Sequence, residues 1–183
     1  MRRITFFIGT FLIVAFWAGC QQQGVTPSDE MEEGSKVGEW VSYGDGFRGY
    51  FVEPMVEGEH PGVVMIHEWW GLNENIKEMA HELADEGYNV LAVDLYDGRV
   101  AAGPEDAGTF ASEVRESPER AIAHMQAAAD FLREQDNFSG KIGSMGWCFG
   151  GGMSMQLALN EPLDATVIYY GNLETDPEKL ESI

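Results

Sequence analysis

The chain has 183 residues, enough for one domain, and its 44% hydrophobic content supports a packed core. Its 31 acidic against 11 basic residues give a net charge of -20, which argues against nucleic acid as a partner, because phosphate binding needs clustered Lys and Arg. Two cysteines, Cys20 and Cys148, do not make a disulfide framework.

Met1-Arg2-Arg3 is a short basic start, and Ile4 to Trp17 is an almost unbroken apolar run. That run is shorter than the roughly 20 residues of an ordinary membrane span. Ala18-Gly19-Cys20 then places small residues directly before a cysteine. The segment resembles the lipobox of bacterial lipoprotein signal peptides, although Trp17 stands where an aliphatic residue is usual. The resemblance implies that residues 1–19 are removed and that Cys20 is lipidated, giving an extracytoplasmic protein held to a bacterial membrane through its lipid only. Gln21 after Cys20 leans towards the outer membrane. A plain signal peptide or an uncleaved anchor is the alternative. Residues 20–36 are polar and acidic, with Gly24, Pro27 and Gly34, and read as a flexible tether.

Residues 37–183 carry the structured pattern. Trp40 to Tyr43 and Phe47 to Val52 flank Asp45-Gly46, a hairpin signal. Val63 to His67 is a short β-branched run that suits a buried strand. Asn73 to Glu86 has Ile76, Met79, Ala80 and Leu83 at helical spacing, and Gly87 ends it. Asn89 to Val93 is the next buried strand. Tyr96 to Glu116 reads as loop-rich with a short helix from Glu105. Ser117-Pro118, as N-cap and first turn, opens a helix running to about Gln135. Lys141 to Met145 is a strand, Met153 to Leu159 is helical, and Ala165 to Tyr170 is a strand ending at Gly171. Strands alternating with helices after an antiparallel hairpin imply a doubly wound, mostly parallel α/β sheet with helices on both faces. Ligands in such sheets bind at the carboxyl ends of the strands, where His67, Glu68 and Cys148 fall.

Gly146-Trp147-Cys148-Phe149-Gly150 lies between strand and helix. Gly-x-nucleophile-x-Gly in that setting is the nucleophile elbow of the α/β-hydrolases, with Cys in place of the usual Ser. The sharp turn strains the nucleophile's backbone and crowds the positions two residues away, which favours glycine there. It also aims the Phe149 N–H and the helix N-terminus at the reaction centre, where they stabilise a thiolate and later an oxyanion. A buried cysteine in a Gly-rich turn is the competing reading. His67-Glu68 begins an H-E-x-x-H zinc pattern, but Gly71 stands where the second His is needed, so no metal is expected. Gly150-Gly151-Gly152 lacks the Lys-Ser/Thr ending of a phosphate loop.

The elbow, together with His67-Glu68-Trp69-Trp70-Gly71-Leu72-Asn73, Gly87-Tyr88-Asn89-Val90, Asp94-Leu95-Tyr96 and Tyr169-Tyr170-Gly171, resembles the dienelactone hydrolase family. The resemblance runs from about Glu39 to Leu180. It implies an α/β-hydrolase that cleaves an ester or lactone through a thioester on Cys148, without a cofactor. Glu68 matches the glutamate that contacts the thiol and helps to form the thiolate. The backbone N–H groups of Trp69 and Phe149 match the oxyanion donors. Arg115 is the one arginine near the position that holds a substrate carboxylate in the best-known branch. Trp147, Tyr96 and Tyr169 are pocket candidates by position, with core packing as the alternative for Trp147. The hydrolase order is nucleophile, acid, histidine. His60, His67, His81 and His124 all precede Cys148, and of the later acids Asp164 and Asp176 neither follows a further strand. The domain is therefore expected to be C-terminally incomplete, and this chain to be inactive in turnover. A non-catalytic small-molecule-binding lipoprotein on the same fold is the other function class.

Overall fold

The computed structural model describes residues 37–181 and 183, so the expectations for the signal segment, Cys20 and the tether lie outside the described residues. β1 (Glu39–Tyr43) and β2 (Phe47–Val52) form the expected hairpin, with Gly44 and Gly46 at φ 52° and 89° in its turn. They are followed by β3 (His60–Ile66), α1 (Glu74–Asp85), β4 (Asn89–Val93), α2 (Pro104–Glu116) and α3 (Pro118–Arg133). The chain then forms β5 (Phe138–Trp147), α4 (Phe149–Asn160), β6 (Ala165–Tyr169) and the single turn α5 (Pro177–Leu180).

The strands lie in the order β1-β2-β4-β3-β5-β6. The hairpin and the β2–β4 pair are antiparallel, and β4, β3, β5 and β6 run parallel. Alternate residues of each central strand enter two cores. Val64, Ile66, Leu91 and Val93 pack with Met125 and Leu132 of α3 and with Phe149, Met153 and Leu157 of α4. Met65, Val90 and Ala92 pack on the other face with Ile76, Ala80 and Ala84 of α1. β4 is buried at every position, as a strand covered on both faces must be.

Three expectations need correction. The Tyr96–Glu116 stretch is not mainly loop. Its second half is α2, a helix of 13 residues that buries only Ala107 and Ala111. So small an apolar face leaves little periodic signal. Ser117 is the N-cap of α3 as expected and also ends α2, with φ/ψ of -131°/59° and no side-chain capping bond. β5 extends beyond Lys141–Met145 at both ends, and α4 begins at Phe149 rather than Met153. At α1 the helical spacing and the stop at Gly87, φ 94°, hold, while Asn73, read as helical, is the N-cap and accepts from the Ile76 N–H at 3.2 Å.

Candidate active site

β5 delivers Cys148 to the carboxyl edge of the sheet, and α4 leaves from the next residue. Cys148 has φ 55° and ψ -113°, a left-handed conformation that costs a non-glycine residue roughly 1–3 kcal/mol. The surroundings hold it there. Its N–H donates to the Tyr169 carbonyl at 3.0 Å, and its carbonyl accepts from the Gly152 N–H at 3.2 Å. A Cβ on Gly146 would overlap the carbonyl of Gly150, and one on Gly150 would overlap the carbonyls of Ile66 and His67. Both glycines are thus demanded by close approach. The second approach seats the start of α4 against the end of β3, which carries Glu68 and Trp69. Ser144 and Ser154 share a buried hydroxyl bond of 2.7 Å that ties β5 to α4 directly behind the elbow.

The Cys148 thiol is free and exposed. It opens on a cavity of about 470 Å³ whose walls include Val114, Arg115, Ile122, Phe149, Met153 and Tyr170. The Arg115 guanidinium lies 5.5 Å from the centroid of the Phe149 ring. Among the described residues it enters no ion pair, so its charge faces a mostly apolar cavity without a carboxylate.

Glu68 is half-buried beyond β3, and its Oε1 accepts from the Tyr170 hydroxyl at 2.9 Å. Among the described residues no hydrogen bond joins Glu68 to Cys148, so the direct thiol contact expected from the resemblance is replaced by a phenol, the stronger donor. Bonding to Glu68, reinforced by the Cys148 and Glu68 charges, raises the Tyr170 phenol above its ordinary pKa. Tyr170 is a site residue that sequence reasoning missed. It has φ 42° and directly follows β6. The signal was the alternation of faces. Trp147 pairs in register with Tyr169 and stacks on it at 5.6 Å and 5°, which leaves the next residue to reach the cavity.

Three expected pocket residues are therefore placed elsewhere. Trp147 packs with the α1-side core and lines a different cavity, beside Met65, Met79 and Met145. Tyr169 is its stacking partner on the edge strand. Tyr96 is wholly buried, and its hydroxyl donates to the Trp69 carbonyl at 3.2 Å, fixing the turn that carries Trp69. Phe149 is the first residue of α4, so its N–H has no intrahelical acceptor.

No histidine lines the Cys148 cavity among the described residues. His67 is fully buried against Tyr96 and Phe149, with Nδ1 at the Glu68 carbonyl and Nε2 unpartnered. Burial lowers its pKa to about 4. His60 places both ring nitrogens on carbonyls, of Gly87 at 3.0 Å and Val56 at 2.9 Å. His81 bonds the Tyr50 hydroxyl at 3.0 Å, and His124 bonds the Tyr43 hydroxyl at 2.8 Å. Asp164 sits before the amino end of β6, paired with Lys141 at 2.7 Å, and Asp176 caps α5 by accepting from the Glu178 N–H at 3.1 Å.

A cysteine on a strained strand-to-helix turn, at the carboxyl edge of a largely parallel sheet flanked by helices, defines an α/β-hydrolase fold. Within that class the chain belongs to the dienelactone hydrolase family, whose family model matches residues 47–183. It is 41% identical over 131 residues to protein usf of Aquifex pyrophilus, covering 68% of this chain and 56% of that protein. It is 30% identical over 137 residues to the carboxymethylenebutenolidase of Pseudomonas putida, covering 67% of this chain and 56% of that one. The solved structure named m3DLH superposes with a TM-score of 0.72 at 30% identity, over 81% of this chain and 65% of its own. A dienelactone hydrolase-like promiscuous phosphotriesterase from metagenomic libraries gives 0.70 at 29%, over 80% and 64%. The chain thus spans little more than half the length of these curated relatives.

Proposed function

We propose that the protein acts as an ester or lactone hydrolase with Cys148 as nucleophile and an anionic substrate held by Arg115. The observation that carries this reading is the exposed thiol at φ 55°, opening on a cavity whose wall includes an arginine that enters no ion pair among the described residues. Glu68, released from Tyr170, takes the thiol proton. The thiolate attacks the carbonyl carbon, and the carbonyl electron pair moves to oxygen. The N–H groups of Trp69 and Phe149 hold that oxyanion, and the positive end of α4 lies behind it. Collapse expels the alkoxide, which takes a proton, and leaves a thioester on Cys148. Water then cleaves the thioester to the acid and the free thiol.

The test is intact-mass analysis of the full chain after addition of an activated ester. One acyl group on Cys148, absent in Cys148→Ala, is expected. Among the described residues no histidine lines the cavity, so acylation should outrun hydrolysis of the thioester, and a stoichiometric burst should precede slow turnover. Unchanged ester cleavage by Cys148→Ala would refute the proposed nucleophile. Reversible ligand binding with no acylation would favour the non-catalytic reading. For localisation, we propose lipidation at Cys20, supported by the basic start, short apolar run and Ala18-Gly19-Cys20. Labelled palmitate should tag the wild-type chain and not Cys20→Ser, and an untagged wild type would refute it.

A further inference from the structure

Arg115 and Val114 reach the Cys148 cavity from the last turn of α2. That turn is seated on the core through Val114, with cavities beside it. Val114 lines the Cys148 cavity and also a second one of about 100 Å³, bounded by Leu95, Asp97, Arg99, Glu113 and Arg120. A helix end with a void on either side takes its position from its remaining ties.

Besides the core contacts of Ala111, Phe110 and Val114, one polar tie is Arg99. Its guanidinium donates to Glu113 Oε2 at 2.6 Å and to the Tyr96 carbonyl at 3.0 Å, and it lies 4.1 Å from the centroid of the Phe110 ring. Glu113 and Phe110 belong to α2. Arg99 itself stands on a segment bonded to the Trp69 turn. The Tyr96 hydroxyl donates to the Trp69 carbonyl at 3.2 Å, and the Ala101 N–H to the Trp70 carbonyl at 2.9 Å. A continuous chain of contacts therefore runs from the turn bearing Trp69 to the helix end bearing Arg115.

We propose that the Arg99–Glu113 ion pair is a positioning clamp that holds Arg115 in the Cys148 cavity and so sets the preference of the site for anionic reagents. This rests on the reading of Cys148 as nucleophile and Arg115 as anion-holding group. Arg99 and Glu113 act through Arg115 and touch no reacting atom.

The experiment compares alkylation of Cys148 by iodoacetate, which carries a carboxylate, and by neutral iodoacetamide, in the full chain. The readout is the ratio of the two rates. Arg115→Met should lower the ratio. Glu113→Gln discriminates, because removing a negative charge raises the ratio if only the bare field matters and lowers it if the clamp is lost. A fall of about threefold is expected, the scale of an exposed ion pair, with the iodoacetamide rate unchanged. Arg99→Met should act likewise, and adding Arg115→Met to either variant should lower the ratio no further than Arg115→Met alone. A ratio that stays or rises in Glu113→Gln overturns the clamp, as does full additivity with Arg115→Met. An Arg115→Met variant with the wild-type ratio removes the reading of Arg115 and the clamp with it. Failure of ester acylation alone would count against the hydrolase reading, while the alkylation ratios would still decide the clamp.

Discussion

His67 and His124 are buried imidazoles held near a pKa of about 4, in both cases chiefly by burial. In the unfolded chain each titrates near 6.5. Above pH 6.5 neither state takes up the protons, and no penalty arises. Between 6.5 and 4 the unfolded chain binds them and the native one does not, so stability falls as pH falls. Below 4 the loss levels off. Each ring contributes roughly 3 kcal/mol across that window. Asp94, whose pKa burial raises, gives some back as pH falls through its folded value. Urea midpoints between pH 7 and 4 should therefore drop, and His124→Gln should flatten the slope. A midpoint independent of pH would contradict the burial of both rings. The turn at Cys148 was legible from its glycines and the position of Glu68 from the matched segment, whereas Arg115 was found only as the one arginine near the expected place. Tyr170 was not, because its reach depends on the face that β6 presents and on its own φ of 42°.

At the scale of elements, the hairpin was legible from Asp45-Gly46 and α1 from its apolar spacing and Gly87, since local chemistry decides both. α2 was legible only as a short helix from Glu105, because its fully buried face is just Ala107 and Ala111. The faces of Trp147 and Tyr169 were hidden because register across β5 and β6, not local pattern, places them. The seating of α4 on β5 offers a test. Ser144 and Ser154 are both buried and satisfy one another. Ser154→Ala should cost about 1–3 kcal/mol, because it leaves the Ser144 hydroxyl without its partner. The double change to alanine should recover most of that loss. Chemical denaturation of the three variants measures it, and an additive double mutant would show that the bond does not couple strand to helix.

For the whole molecule, two properties act together. The net charge of -20 favours solubility but repels itself in the compact state, so moderate salt should raise the melting temperature. Among the described residues, the face of β5 and β6 away from α4 is covered only at its α1 side. Hollows of about 510 and 220 Å³ lie there, the larger between Trp147 and Met79 and Glu82 of α1, the smaller beside Val167, which is 40% exposed. A patch of this kind invites association. Without its first nineteen residues, the chain is expected to bind an apolar fluorescent dye in the native state and to self-associate as salt screens its charge. Val167→Lys should reduce both effects, and a native chain that leaves the dye dark would argue against an open face. Lastly, the bond from the Cys148 amide to the Tyr169 carbonyl means that the reactive turn leans on β6, the outermost strand on that side among the described residues. Rim strands detach at lower free energy than central ones. When β6 peels away, Cys148 loses the tie that keeps it in its left-handed state, and the turn relaxes. The thiol then reports the docking of the last strand. Its alkylation rate under rising denaturant should break before the global transition, marking a partial opening that bulk spectroscopy passes over.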